Sequence, residues 1–272
     1  MRRAAASLAA IVLAALAAAA AVNSSAAGAE LATPARAIDP QALRSGVAFA
    51  GASVREMQAD DLANPGMLWV ERGEALWRTG TPESPACAAC HADASVSMHG
   101  VAARYPAYDE RSGRVLDLEG RINACRVDHQ KQPPLAREAD DLLAVSTFVA
   151  HQSRGLPIHV TIDERARDVF ERGRAFYYER HGQMNLSCAN CHEENWGRRL
   201  LVETVSQGHP SAFPAYRLEW QTLGSINRRL RACLNGIRAE MLPPDAPEYV
   251  ALELFLAWRA QGLPVETPGV RR

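Results

Sequence analysis

The chain has 272 residues, and its 30 lysines and arginines against 31 aspartates and glutamates give a formal net charge of −1. Such a balance does not point to nucleic acid as a partner, because that recognition needs a basic face. Lys131 is the only lysine, so every other cationic side chain outside histidine is an arginine, which keeps its charge and can fork onto an oxyanion.

Residues 1–29 read as a cleaved signal peptide. Arg2 and Arg3 form a positive start, the run from Ala4 to Val22 is almost wholly Ala, Leu, Ile and Val, and Ala27-Gly28-Ala29 fits a signal-peptidase site before Glu30. A membrane anchor is the alternative; the Ala-rich run and the cleavage pattern favour export. Residues 30–64 read as a leader, extended or loosely helical. The remaining chain divides into two similar segments, 65–158 and 159–272, and the expected fold is mainly α, with two tandem duplicated domains.

Helical periodicity predicts elements over 66–79, 137–154, 163–180 and 245–260, the second and fourth stopped by Gly155 and Gly262 with a proline two residues on. No convincing alternating run predicts a strand. Between the helices, markers recur in the same order: "ERGEALW" (Glu71 to Trp77) and "ERGRAFY" (Glu171 to Tyr177), "CAACH" and "CANCH", "YPAY" and "FPAY", Ala124-Cys125 and Ala232-Cys233, and two "GLP" turns. Five markers in one order imply an internal duplication.

C-x-x-C-H is the attachment pattern of c-type haem: Cys87 and Cys90 with His91, then Cys188 and Cys191 with His192. The thiols add to the porphyrin vinyl groups and the adjacent histidine binds iron. A zinc half-site or a redox CxxC is the competing reading of one such motif. Two motifs in an exported chain, each followed directly by His, favour haem, and no further CxxC or His pair completes a zinc site.

Candidates for the opposite axial ligand are Met98, His99, His129 and Cys125 in the first half, and Met184, His209, Met241 and Cys233 in the second. Only Cys125 and Cys233 recur at matching places. The residues leave three readings of that pair open: an inter-domain disulfide, buried apolar cysteines, or a thiolate bound to each iron. Cations favour the thiolate, and Arg229 stands four residues before Cys233, on one face if both are helical. Arg238 follows five residues after Cys233 and could curl back, while Arg228 and Arg231 read as a solvated face. Around Cys125, Arg121 holds the equivalent place, but Asp128 offsets the charge. Only the second site is therefore expected to handle an anion.

The two haem motifs and the late "R-x-x-x-C-x-x-x-x-R-A-E" run from Arg229 to Glu240 resemble the SoxA family, the catalytic cytochrome c subunits of the periplasmic sulfur-oxidising system. The resemblance spans roughly 60–265. It implies two covalent c-type haems, with His91 and Cys125 as iron ligands of the first and His192 and Cys233 of the second. It further implies that Cys233 carries an extra sulfur as a persulfide and is catalytic, with Arg229 as the nearby cation. The implied partners are a SoxX-like monohaem subunit, a SoxYZ-like sulfur carrier whose cysteine receives thiosulfate, and a further cytochrome c that takes the electrons. Two other readings of the residues are a dihaem electron shuttle without sulfur chemistry and a dihaem peroxidase, which needs an open iron position.

Overall fold

The computed structural model describes residues 38–272. The signal-peptide reading of 1–29 and the start of the leader lie outside the described residues. From Pro40 the leader makes two 3-10 turns and then helix α1, Ala52–Ala59. It is not loose: Asn64 donates to the Pro268 carbonyl at 2.8 Å, and the Gln58 side-chain oxygen accepts from the Val270 amide at 3.0 Å.

The first half runs α2 (Met67–Arg78), α3 (Cys87–His91), α4 (Ala94–Ser97), hairpin β1–β2 (Ala107–Asp109, Arg114–Leu116), α5 (Leu118–Asp128) and α6 (Asp140–His151). The second half runs α7 (Glu164–Tyr178), α8 (Cys188–His192), hairpin β3–β4 (Arg199–Leu200, Glu203–Thr204), hairpin β5–β6 (Ala215–Arg217, Thr222–Gly224), α9 (Ile226–Gly236), α10 (Pro247–Arg259) and the closing strand β7 (Gly269–Arg271). The four expected long helices are all present. The expectation of no strands fails: these strands are two or three residues long, too short for an alternating pattern to register. β5 pairs antiparallel with β6 and parallel with β7.

Two crossing helix pairs build the core, α2 on α6 and α7 on α10. On α2 the buried stripe is Val70, Gly73 and Trp77; on α7 it is Ala166, Phe170, Gly173 and Tyr177, a one-face spacing for 3.6 residues per turn. Their partners are buried more completely, with Leu142 to Ala150 of α6 buried without interruption. The glycines of the repeated "ERG" motif sit at the crossings. A Cβ on Gly73 would lie 2.1 Å from the Ala144 carbonyl oxygen, and one on Gly173 1.9 Å from that of Ala251. No side chain fits there, and helix backbones meet directly.

Aromatic rings fill the space beside each crossing. Trp77 meets Phe148 in the first half; Phe170, Tyr177, Phe255 and Trp258 pack together in the second, with Phe170 and Trp258 edge to face at 5.2 Å. That second cluster also takes in Ala103 and Val115 from the first half. The two "GLP" turns bond to each other: the Gly155 amide donates to Val265, Val265 to Leu156, Ile158 to Leu263 and Gly262 to Ile158, all at 2.8–3.0 Å.

Between the halves lies a cavity of about 80 Å³, lined in part by Asp117, Glu119, Arg137, Ser225 and Glu253. Arg137 donates to Asp117 and, at 2.9 Å, to Glu119. One arginine does not balance this many carboxylates. Loss of water, then the charge of Asp117, pushes the Glu119 carboxyl above its ordinary value; Glu253 is pushed well up by the same loss, then by Asp117 and Glu119. Among the described residues no helix is long and apolar enough to cross a membrane.

Two outcomes follow from this packing. Gly→Ala usually stabilises a helix by roughly 0.5–1 kcal/mol, but Gly173→Ala is expected to destabilise by about 1–3 kcal/mol through overpacking, measured by urea or thermal unfolding. The raised carboxyls bind protons more tightly folded than unfolded. Their contribution to stability is therefore fully present at acid pH and is lost as pH climbs from the ordinary carboxylate range toward neutrality; Glu253→Gln should remove part of that loss in melts taken at a series of pH values.

Candidate functional site

Each C-x-x-C-H motif folds as one short helix, which sets the two thiols three residues apart on one side with the histidine beside them. The second is held more firmly. Ser187 and Asn190 form a reciprocal capping box at its start, and the first motif has Ala86 and Ala89 there. His192 Nδ1 lies 2.7 Å from the Ser206 carbonyl, so Nδ1 carries the proton and Nε2 is left to bind a metal. Burial, with help from Arg259 and Arg229, lowers His192 to about 4, which keeps the ring neutral. Gly208, at φ +73°, passes so close that a Cβ would sit 2.8 Å from His192 Cγ. His91 packs instead against Trp77, with ring centroids 5.6 Å apart.

The cysteines outside these motifs lie on equivalent helices: Cys125 on α5, capped by Asp117, and Cys233 on α9, capped by Ser225. Each faces its own motif. As free thiols, Cys87 is raised by burial and then by the charge of Cys125, and Cys125 by burial and then by Cys90, against Arg121. In the second half Cys188 is pushed up to about 12 by burial and then by Cys233, and Cys191 rises for the same two reasons. All six cysteines are free, so Cys125 and Cys233 form no disulfide. Of the rival ligand candidates, His209 Nε2 is engaged by the Gln207 side chain and His129 by Arg111. His99 is exposed, as are Met184 and Met241, and Met98 packs into the first core.

The arginines differ between the sites. Arg121 and Arg229 both stand one helical turn before their cysteine. Arg121 pairs with Asp109 at 3.5 Å; among the described residues the Arg229 guanidinium forms no ion pair and no hydrogen bond. It adds positive potential at His192 and at Arg217. Arg217 and Arg228 both pack against the Trp220 ring, at 5.0 and 4.4 Å. Arg228 is thus half-buried, and Arg231 interacts with Tyr249, so the expected solvated face is packed. Arg238 is exposed and its carbonyl accepts from Gln183; no contact returns it to Cys233.

Sequence reasoning missed Arg259 and Arg217. Arg259 is only 5 % exposed, lies over the Tyr177 ring, pairs with Glu193 at 3.3 Å and donates to the Gln207 carbonyl, with Nη2 buried and unpartnered. Its signal was available: it is the only cation in the apolar run of α10.

The donor set fits a c-type haem: paired thiols on one helical turn, a neutral imidazole with Nε2 unengaged, and a buried guanidinium with an open donor for an anionic group. A family model described as "SoxA/TsdA, cytochrome c domain" matches residues 72–158. The SoxA subunit of L-cysteine S-thiosulfotransferase from Pseudaminobacter salicylatoxidans is 40 % identical over 230 residues, covering 84 % of this chain and 80 % of that one. Its counterpart from Rhodovulum sulfidophilum is 39 % identical over 241 residues, covering 88 % and 84 %. The chain belongs to the SoxA family. The crystal structure of SoxXA from P. pantotrophus superposes with a TM-score of 0.81 at 35 % identity, covering 84 % of this chain and 86 % of that one. SoxA chains are subunits of L-cysteine S-thiosulfotransferase, and this is the enzyme class here. The cytochrome c domain implies a c-type haem.

Gly208→Ala is expected to displace the His192 ring. If the second motif holds a haem, its low-spin ferric signal and midpoint potential should shift while those of the first motif stay fixed, as read by low-temperature EPR and a spectroscopic redox titration.

Proposed function

We propose that the chain is the dihaem subunit that oxidatively couples thiosulfate to a cysteine of a carrier protein, with Cys233 as the reacting sulfur. What carries this reading is the contrast at the two cysteines: Arg121 is paired with Asp109, and among the described residues Arg229 has no counter-ion. A half-buried guanidinium without a partner one turn from a thiol is a place for a dianion to bind.

In this reading Cys87 and Cys90 hold the first haem and Cys188 and Cys191 the second. His91 with Cys125, and His192 with Cys233, would hold the iron of each. The two halves are copies of one cytochrome c-like domain, about residues 65–158 and 159–272. When bound, haem supplies the electron acceptor, one electron per iron.

The rest is the work of the side chains. Arg229 draws thiosulfate in and holds it. Cys233 carries an extra sulfur as persulfide, whose outer atom takes part in sulfur exchange while the inner one stays at its helix position. The net change forms one sulfur–sulfur bond between thiosulfate and the carrier thiol. The thiol loses its proton and two electrons leave. Burial keeps His192 neutral, and the Ser206 carbonyl and Gly208 keep its ring oriented throughout.

The family name and the SoxXA match support a SoxX-like monohaem subunit as the partner. A SoxYZ-like carrier and a further cytochrome c complete the assignment, in the periplasm. Cys233→Ala should keep both haems attached yet abolish coupling of thiosulfate to a thiol acceptor. Mass spectrometry of unreduced peptides should find the extra sulfur on Cys233 and none on Cys125. Coupling that survives the substitution would move the chemistry elsewhere.

A further inference from the structure

The helices that carry Cys125 and Cys233 begin at the same place in the molecule, on two neighbouring residues of one loop. Arg137 donates through Nη1 and Nη2 to Asp117, the cap of α5, and through Nη1 to Glu119 in its first turn. Glu138 accepts from the hydroxyl of Ser225, the cap of α9. Arg137 and Glu138 both belong to the first half, yet α9 belongs to the second.

We propose that Arg137-Glu138 is the positioning element for both cysteine-bearing helices, and that Glu138, acting through Ser225, sets the place of Cys233 in the opposite half. The inference rests on the reading of Cys233 as the reacting iron ligand.

The Ser225 oxygen accepts from the Arg228 amide at 3.2 Å while its hydroxyl donates to Glu138, so one side chain joins the helix start to the loop. The Ser225 carbonyl accepts from the Arg229 amide at 3.3 Å. Cap, arginine and cysteine therefore lie on one rigid helix, with Cys233 about 12 Å along the axis from the cap at 1.5 Å per residue. A shift at the cap is carried to the sulfur nearly unchanged.

Two features show that the loop is held against cost. Glu138 has φ +66°, in the left-handed region that a non-glycine residue seldom adopts, and such a conformation persists where its surroundings over-determine it. Its second oxygen, Oε2, is buried without a hydrogen-bond partner. A residue kept only to connect two helices would gain by relaxing both. The second half's own loop reaches α9 by a different bond, from Asn227 to the Pro244 carbonyl at 2.7 Å, which ties the helix locally but leaves the cap to Glu138.

The test compares Glu138→Ala, Glu138→Gln and Ser225→Ala with the wild type as haem-loaded full chains. Low-temperature EPR reads each low-spin ferric iron, and a coupling assay with thiosulfate and a thiol acceptor reads turnover. Glu138→Ala should shift or broaden the thiolate-type signal of the second haem, leave that of the first in place, and cut turnover about tenfold, within what a displacement of under an ångström can produce. Glu138→Gln, whose amide oxygen still accepts from Ser225, should restore both. If Glu138→Ala does not fold, Ser225→Ala removes the same bond from the other side and is read in its place. A wild-type spectrum without thiolate ligation overturns the proposed function and this inference with it. A thiolate signal that is present in the wild type and unmoved in the alanine variants overturns the positioning role alone.

Discussion

Backbone touching backbone at two helix crossings is the constraint on which the rest of the molecule depends. Gly73 lies against the Ala144 carbonyl and Gly173 against that of Ala251, with no room for a side chain. Contact that close fixes both the distance and the angle of each pair, because a shift of either helix would bring carbonyl oxygens into carbon atoms. The motif helices follow α2 and α7 in the chain and pack against them. The thiols and imidazoles thus inherit their positions from a crossing built around an absent methyl group.

Geometry alone makes the two halves near equivalents; charge makes them differ. Each has a capped helix bearing a cysteine with an arginine one turn before it. In the first, a hairpin aspartate closes on that arginine. In the second the corresponding hairpin position, Arg217, is itself an arginine and pairs with Glu219 at 3.1 Å, so among the described residues no hairpin carboxylate closes on Arg229. A single exchange of carboxylate for guanidinium at this strand position separates an arginine that is paired from one that, among the described residues, is not.

Much of this was legible in the sequence. The long helices follow from apolar spacing and glycine stops, and the place of Arg229 one turn before Cys233 on one helix follows from their four-residue separation. What escaped depends on distant segments meeting. Arg217 reads as a polar residue in a strand too short to have a period. Arg259 lies 26 positions beyond Cys233 in a helix otherwise recognised by its apolar face. Arg228 and Arg231 look solvated until the Trp220 and Tyr249 rings are placed beside them. The bond from Ser225 to Glu138 joins residues 87 positions apart, and no local pattern encodes it.

The tie between the leader and the end of the chain has a bearing on order in time. Gln58 and Asn64 find their partners at Val270 and Pro268, so the earlier segment stays unsatisfied until the later one has been made. Both C-x-x-C-H helices lie between these two segments in the chain, so they are complete before that latch can shut.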